Sequence, residues 1–145
     1  MWGKKIRLFL RQSEKAEGSG KGDVFISYCK GDRNFAELLS NKLQGAGFAV
    51  WMDEDSLKAG DRWKKEIEQG IKKADSLIVL MSSDATRSNW VQFEWAYAKG
   101  AGKKIIPVIL EQIELPGPLN DFQYLDFNNA IAERPWGKLF DAVKV

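Results

Sequence analysis

Ser76-Leu77-Ile78-Val79-Leu80-Met81 is the stretch that decides the fold, because its apolar residues follow one another without alternation. A strand with one wet face alternates polar and apolar positions, whereas a strand covered on both faces reads as a continuous apolar run. The run therefore predicts a central strand with helices on either side of its sheet. Upstream, Trp63, Ile67, Gly70, Ile71 and Ala74 keep helical spacing, and Asp61 stands where a cap belongs. Before that, Phe48 to Met52 reads as a strand that ends in the acidic Asp53-Glu54-Asp55 and a turn-like loop, S-L-K-A-G-D. Phe35, Ala36, Leu38, Leu39 and Leu43 mark a helix over 33–44, stopped by Gly45 and Gly47. Val24-Phe25-Ile26, closed by Ser27-Tyr28 and a polar turn through Asp32, is the first strand.

Downstream, Thr86 to Gly102 reads T-R-S-N-W-V-Q-F-E-W-A-Y-A-K-G-A-G. Val91, Trp95 and Ala98 recur at spacings of four and three, so a helix is expected, with Ser88 or Asn89 at its start and Gly100 and Gly102 at its end. Lys104 to Leu110 gives a fourth strand, in which Pro107 argues for an edge-like position. Glu111 to Gly117 is loop, Leu125-Asp126-Phe127 a last short strand, and 131–145 a closing helix in which Pro135 fits only near the start. Strand and helix thus alternate with short connections. The pattern predicts an α/β, flavodoxin-like three-layer sandwich: a parallel sheet of about five strands, joined by right-handed crossovers and flanked by helices. Ligands of such sheets bind beyond the carboxyl ends of the strands. Three loops meet there: Ser27-Tyr28-Cys29-Lys30, Asp53 to Gly60, and Ser82 to Ser88.

The 145 residues fit one domain with a real core. Residues 1–22 are basic and then Gly-rich, and read as an N-terminal segment and linker; residues 23–145 form the domain. The net charge of +2 is unevenly spread, with six Lys/Arg against two Glu in that segment and sixteen basic against eighteen acidic residues in 23–145, so the body is near neutral and nothing in it suggests a nucleic-acid surface. No apolar run approaches a membrane span, which makes membrane insertion an unexpected outcome. Cys29 is the single cysteine, which excludes a disulfide framework and a zinc-binding Cys cluster and fits a reducing, cytoplasmic setting. Histidine is absent, so any chemistry must run on carboxylates, hydroxyls or Cys29.

Glu94 is the candidate that apolar burial does not explain. It lies one turn after Trp90 in a helix rich in apolar residues, where a carboxylate is either a solvated surface acid or a functional group met by something polar. Cys29 beside Lys30 reads either as a nucleophile or as a packed thiol, and the missing histidine favours the latter. Trp63 and Trp90 read as core residues or as stacking planes at the loop rim. Asp53, Glu54 and Asp55 suggest a magnesium site, but no acidic pair follows the first strand, so no metal is expected. G-S-G-K-G at 18–22 precedes the first strand and does not make a phosphate loop.

In order along the chain stand D-V-F-I-S-Y at 23–28, W-M-D at 51–53, L-K-A-G-D-R-W at 57–63, I-V-L-M-S at 78–82, S-x-W-x-x-x-E at 88–94 and K-I-I-P-V-I at 104–109. Each fragment is weak alone, and the ordered series resembles the Toll/interleukin-1 receptor (TIR) domain, bacterial members above all. The resemblance implies cleavage of NAD+ at the nicotinamide–ribose bond, giving ADP-ribose or a cyclic ADP-ribose, with NAD+ as substrate and no further cofactor. It implies Glu94 as the catalytic carboxylate and Trp90 as a neighbour of the nicotinamide ribose. Tyr28, Cys29 and Lys30 fall where relatives place pocket residues, Lys30 toward the diphosphate and Tyr28 toward nicotinamide; relatives often carry Arg in this stretch, so Cys29 is a departure. Ser82 and Ser83 would line the rim. The loop 53–61 matches the family's BB loop, through which copies self-associate, with Lys58, Gly60 and Trp63 reaching into the neighbour's pocket. The resemblance also permits a module that binds other TIR copies in immune signalling or defence and hydrolyses nothing. A related nucleoside-ribosyl transferase is a further alternative.

Overall fold

A computed structural model describes residues 21–52, 63–128 and 133–145. Its elements are β1 (Asp23–Ser27), α1 (Arg33–Gly45), β2 (Ala49–Met52), α2 (Trp63–Lys73), β3 (Ser76–Met81), α3 (Ser83–Thr86), α4 (Asn89–Gly100), β4 (Lys104–Ile109), β5 (Leu125–Asp126) and α5 (Trp136–Val143). The five strands form one parallel sheet in the order β2-β1-β3-β4-β5. All six residues of β3 are buried, and it occupies the middle of the sheet, as its uninterrupted apolar run predicts.

Period-two alternation splits each strand between two cores. Leu77, Val79 and Met81 of β3 join Phe25, Ile67, Ile71, Val91, Trp95 and Ala98 on one face, beneath α2, α3 and α4. Ile78 and Leu80 join Val24, Ile26, Ala36, Leu39, Leu43, Leu139 and Val143 on the other, beneath α1 and α5. Each fully buried Leu or Ile contributes about 2 kcal/mol of hydrophobic free energy. The chain runs from β1 out to β2, then returns past β1 to β3. Right-handed crossovers consequently send α1 and α2 to opposite faces and open a crevice at the carboxyl ends of β1 and β3.

Several details depart from the pattern-based expectation. Leu38 is 41% exposed, because the buried stripe of α1 is set by Ala36, Leu39, Ser40 and Leu43 and leaves position 38 outside it. The closing helix begins only at Trp136, with Pro135 as its cap, since proline cannot donate within a helix. Residues 129–132, the start of the expected helix, lie outside the described residues, as do 53–62 with the expected cap Asp61. Pro107 sits in β4 opposite Val79 of β3, whereas β5 pairs only with Val108 and Ile109. Over 104–107 β4 is therefore a local edge, and the missing N–H deprives no strand partner on that side.

The opposite pole of the sheet is organised by lysines. Lys103 Nζ donates to the carbonyls of Lys72 and Ala74 at 2.8 Å each, past the end of α2. Lys104 Nζ reaches Ala142 O in α5, and Lys21 Nζ reaches Ala46 O at 2.6 Å, past the end of α1. A cation at a helix carboxyl terminus satisfies orphan carbonyls and opposes the helix dipole. Gly47 and Gly102, with φ of 99° and 74°, make the left-handed exits from α1 and α4 that other residues resist. Lys103→Met is expected to lower the unfolding free energy by about 1 kcal/mol, read as a lower urea midpoint with an unchanged slope. An unchanged midpoint would mean that water satisfies those carbonyls equally well.

Candidate active site

Ser88 starts α4 by accepting a hydrogen bond from Val91 N at 3.1 Å, and that cap sets the phase of the helix. With this phase the buried positions are Val91, Glu94, Trp95 and Ala98, the three–four spacing of a core-facing stripe. Glu94 thus occupies a core position and is 1% exposed, so the reading of it as a solvated surface acid does not hold. Facing it is Ser27, the last residue of β1 and 0% exposed, whose Oγ donates to Glu94 Oε1 at 2.6 Å. Among the described residues these two form a buried polar pair at the crevice between the ends of β1 and β3.

A second polar cluster lies one residue pair further out. Cys29 Sγ donates to Asp32 Oδ2 at 3.1 Å, and Ser82 Oγ donates to the same oxygen at 2.5 Å. Ser82 in turn caps α3 by accepting from Ala85 N at 3.2 Å. Asp32 therefore ties the loop after β1 to the loop after β3. Burial pushes the Cys29 thiol above its ordinary range, and the adjacent Asp32, as hydrogen-bond acceptor and as negative charge, pushes it further. A thiol so disfavoured as thiolate is a donor in this cluster rather than a nucleophile.

The remaining sequence candidates divide by strand parity and by loop. Tyr28, 6% exposed, packs in the cluster beneath α1 and α5, so the structure does not bring it to the Glu94 side; Ser27 and Cys29, on either side of it in sequence, take the Glu94 face. Lys30 is exposed at the head of a short 3-10 turn, Lys30–Asp32. Ser83 is tied outward, its N–H donating to Glu111 Oε1 at 2.5 Å and its Oγ accepting from Arg87 at 3.1 Å. Trp90 is half-buried against the core that holds Val91 and Trp95. Lys58 and Gly60 lie outside the described residues; Trp63 opens α2. Sequence reasoning missed Ser27, whose signal was a polar residue on the core-facing parity of an otherwise apolar strand. It noted Asp32 only as part of a turn.

Among the described residues no group of three or more His, Cys, Asp or Glu could hold a metal ion, and no helix is long and apolar enough to cross a membrane. A separate cleft of about 940 Å³ opens at the ends of β4 and β5, lined by Gln112, Glu114, Asn120, Tyr124 and Asp126 among others. Its described lining contains no Lys or Arg and none of the candidate site residues, so it presents no cation to a diphosphate.

Comparison with known proteins agrees with this architecture. The family model described as TIR domain matches residues 24–140. An NAD(+) hydrolase of Escherichia coli is 36% identical over 73 residues, 50% of this chain and 24% of that protein. A 2′ cyclic ADP-D-ribose synthase of Bacteroides thetaiotaomicron is 37% identical over 73 residues, 50% of this chain and 25% of that protein. The chain thus spans about a quarter of the length of these relatives. The crystal structure of the TIR domain of a Toll-related receptor from Hydra magnipapillata superposes with a TM-score of 0.70 at 27% identity, over 83% of this chain and 96% of that one. With the matched model covering both cores and the Ser27–Glu94 crevice between them, the chain belongs to the TIR domain family.

Proposed function

We propose that this chain cleaves NAD+ at the nicotinamide–ribose bond, with Glu94 as the catalytic carboxylate and with activity dependent on self-association. The observation that carries the reading is the burial of Glu94 at the carboxyl ends of β1 and β3, held by Ser27. Burying a carboxylate is costly, and an interaction module has no use for that cost. The printed names of the relatives, an NAD(+) hydrolase and a 2′ cyclic ADP-D-ribose synthase, support the same chemistry.

In this reaction the bond from ribose C1′ to the pyridinium nitrogen breaks, and its electron pair leaves with nicotinamide, which becomes neutral. No acid is needed, because the leaving group is already cationic. The ribose becomes oxocarbenium-like, as in glycoside cleavage, and a fixed carboxylate stabilises the developing positive charge. Water then adds to C1′ and loses a proton, giving ADP-ribose; attack by a hydroxyl of the same molecule gives a cyclic product instead. In this reading Trp90 flanks the sugar, Ser82 and Ser83 line the rim with Cys29, and Lys30 meets the diphosphate. Tyr28 supports the loop from the far side of the sheet. Lys58, Gly60 and Trp63 of a neighbouring copy complete the pocket.

Glu94→Gln is expected to reduce NAD+ consumption about a hundredfold or more with an unchanged circular dichroism spectrum, measured by chromatography of nicotinamide release from clustered protein. Turnover at the parent rate would overturn the assignment. Specific activity is expected to rise with protein concentration, and Gly60→Pro or Trp63→Ala to weaken it in a way that fusion to an oligomeric carrier partly restores. No gain on clustering would remove assembly from the mechanism. Cys29 takes no covalent part: its alkylation by iodoacetamide is expected to be slow at neutral pH and to accelerate only above the ordinary thiol range. Asp32→Asn removes the negative neighbour and so should speed alkylation at a given pH; an unchanged rate would mean that Asp32 does not govern the thiol.

A further inference from the structure

We propose that Ser27 is a positioning residue for Glu94, its hydroxyl fixing the carboxylate's direction by donating to Oε1 from the floor of the core. The inference rests on the NAD+-cleavage reading for its functional consequence, and on the hydrogen bond alone for its structural one. Ser27 is placed with little freedom. It ends β1, a strand paired on both edges, and lies in register with Val79 of β3, the central strand. Its side chain has a single torsion before the hydroxyl oxygen, whereas Glu94 has three torsions to be fixed. A short-tethered donor on a strand paired on both edges thus acts as the reference point for a long acceptor on a helix.

The environment of the pair makes that contact effective. Ser27 is 0% exposed and Glu94 1%, so water does not compete for either group, and hydrogen bonds to an ionised acceptor are the short, strong ones. The 2.6 Å separation is at the short end of O–H···O hydrogen bonds. Phe25, Val79 and Val91, which pack on the same face, carry no polar side-chain atom that could orient a charge. An alanine at position 27 would satisfy the packing of β1 as well as serine does, and a hydroxyl there costs free energy unless bonded. Its presence is explained by the carboxylate, and the direction it imposes is toward the crevice side of the sheet, where the proposed sugar cation forms. Charge stabilisation of this kind depends on preorganisation, so a loosened carboxylate loses rate more than substrate affinity.

The test compares the parent with Ser27→Ala, Ser27→Thr and Ser27→Cys in clustered full-length chain. Ser27→Ala is expected to lower kcat about tenfold or more while KM changes less than about threefold, and Ser27→Thr, which keeps a hydroxyl, to recover most of the rate. Thr adds a methyl to a packed site, so Ser27→Cys serves as the second conservative variant, with partial recovery expected from its weaker donor. In parallel, carbon-13 relaxation of selectively labelled glutamate is expected to show Glu94 gaining side-chain motion in Ser27→Ala and not in Ser27→Thr, while backbone amide shifts elsewhere stay in place. Unchanged Glu94 mobility in Ser27→Ala overturns the proposal, as does an unchanged kcat in an active parent. A parent that consumes no NAD+ under any clustering overturns the enzymatic reading alone, and the relaxation measurement then still decides whether Ser27 fixes Glu94.

Discussion

A carboxylate with 1% of its surface exposed has to be accommodated by something other than water, and in this protein the Ser27 hydroxyl donates to it at 2.6 Å. Everything around the pair follows from where those two residues can stand. Ser27 can offer its hydroxyl because β1 adjoins the central strand, so that its end lies at the crevice between β1 and β3. Glu94 can meet it because Ser88 fixes the phase of α4 and turns position 94 inward with Val91, Trp95 and Ala98.

The sheet also gives the molecule two poles with different electrostatics. At the amino ends of the strands the helices present their carbonyl termini, and Lys21, Lys103 and Lys104 cover those of α1, α2 and α5. At the carboxyl ends the helices present their amino termini, and hydroxyls and carboxylates do the capping: Ser82 for α3, Ser88 for α4, with Asp32 joining two loops. Cations are thus spent on stability at one pole, and oxygen ligands crowd the other. An anionic dinucleotide finds favourable helix termini only at the second pole, which is also where Lys30 is exposed.

How legible this was depended on which physical signal each residue carried. Ser76 to Met81 announced its central place because burial on both faces favours an unbroken apolar run, as Leu77 to Met81 provide, and the four main strands and their helices followed from spacing. Glu94 was visible too: positions 91, 94, 95 and 98 form a core stripe by arithmetic alone, and it was the chemical oddity of an acid in that stripe that made burial look implausible. Ser27 carried a fainter signal, its core-facing parity, because a serine at a strand end ordinarily opens a turn; its pairing depends on α4, 67 residues later in the chain. Tyr28 shows the converse, since its neighbours' function drew it toward the site in the sequence while period-two parity sent it to the other core. Pro135 set the onset of α5 through a missing N–H, a local rule that tertiary packing did not override. The acidic loop 53–61 offers no apolar periodicity, so its part in assembly rests on the family resemblance.

The burial of Glu94 also constrains how the proposed reaction can be controlled. A sugar cation must touch the carboxylate, yet the carboxylate is covered, so productive binding requires the cover to move, and the free energy of that movement must come from somewhere. Substrate binding could supply it, but then every isolated copy would turn over NAD+ whenever the dinucleotide was present. A neighbouring copy that binds only the opened arrangement supplies it conditionally, since a partner shifts such an equilibrium by its differential affinity for the two states. Under that scheme the Ser27–Glu94 bond has one further consequence. Because it ties the acid to β1, a strand paired on both edges, rather than to a loop, the acid in that scheme keeps its place while its surroundings change.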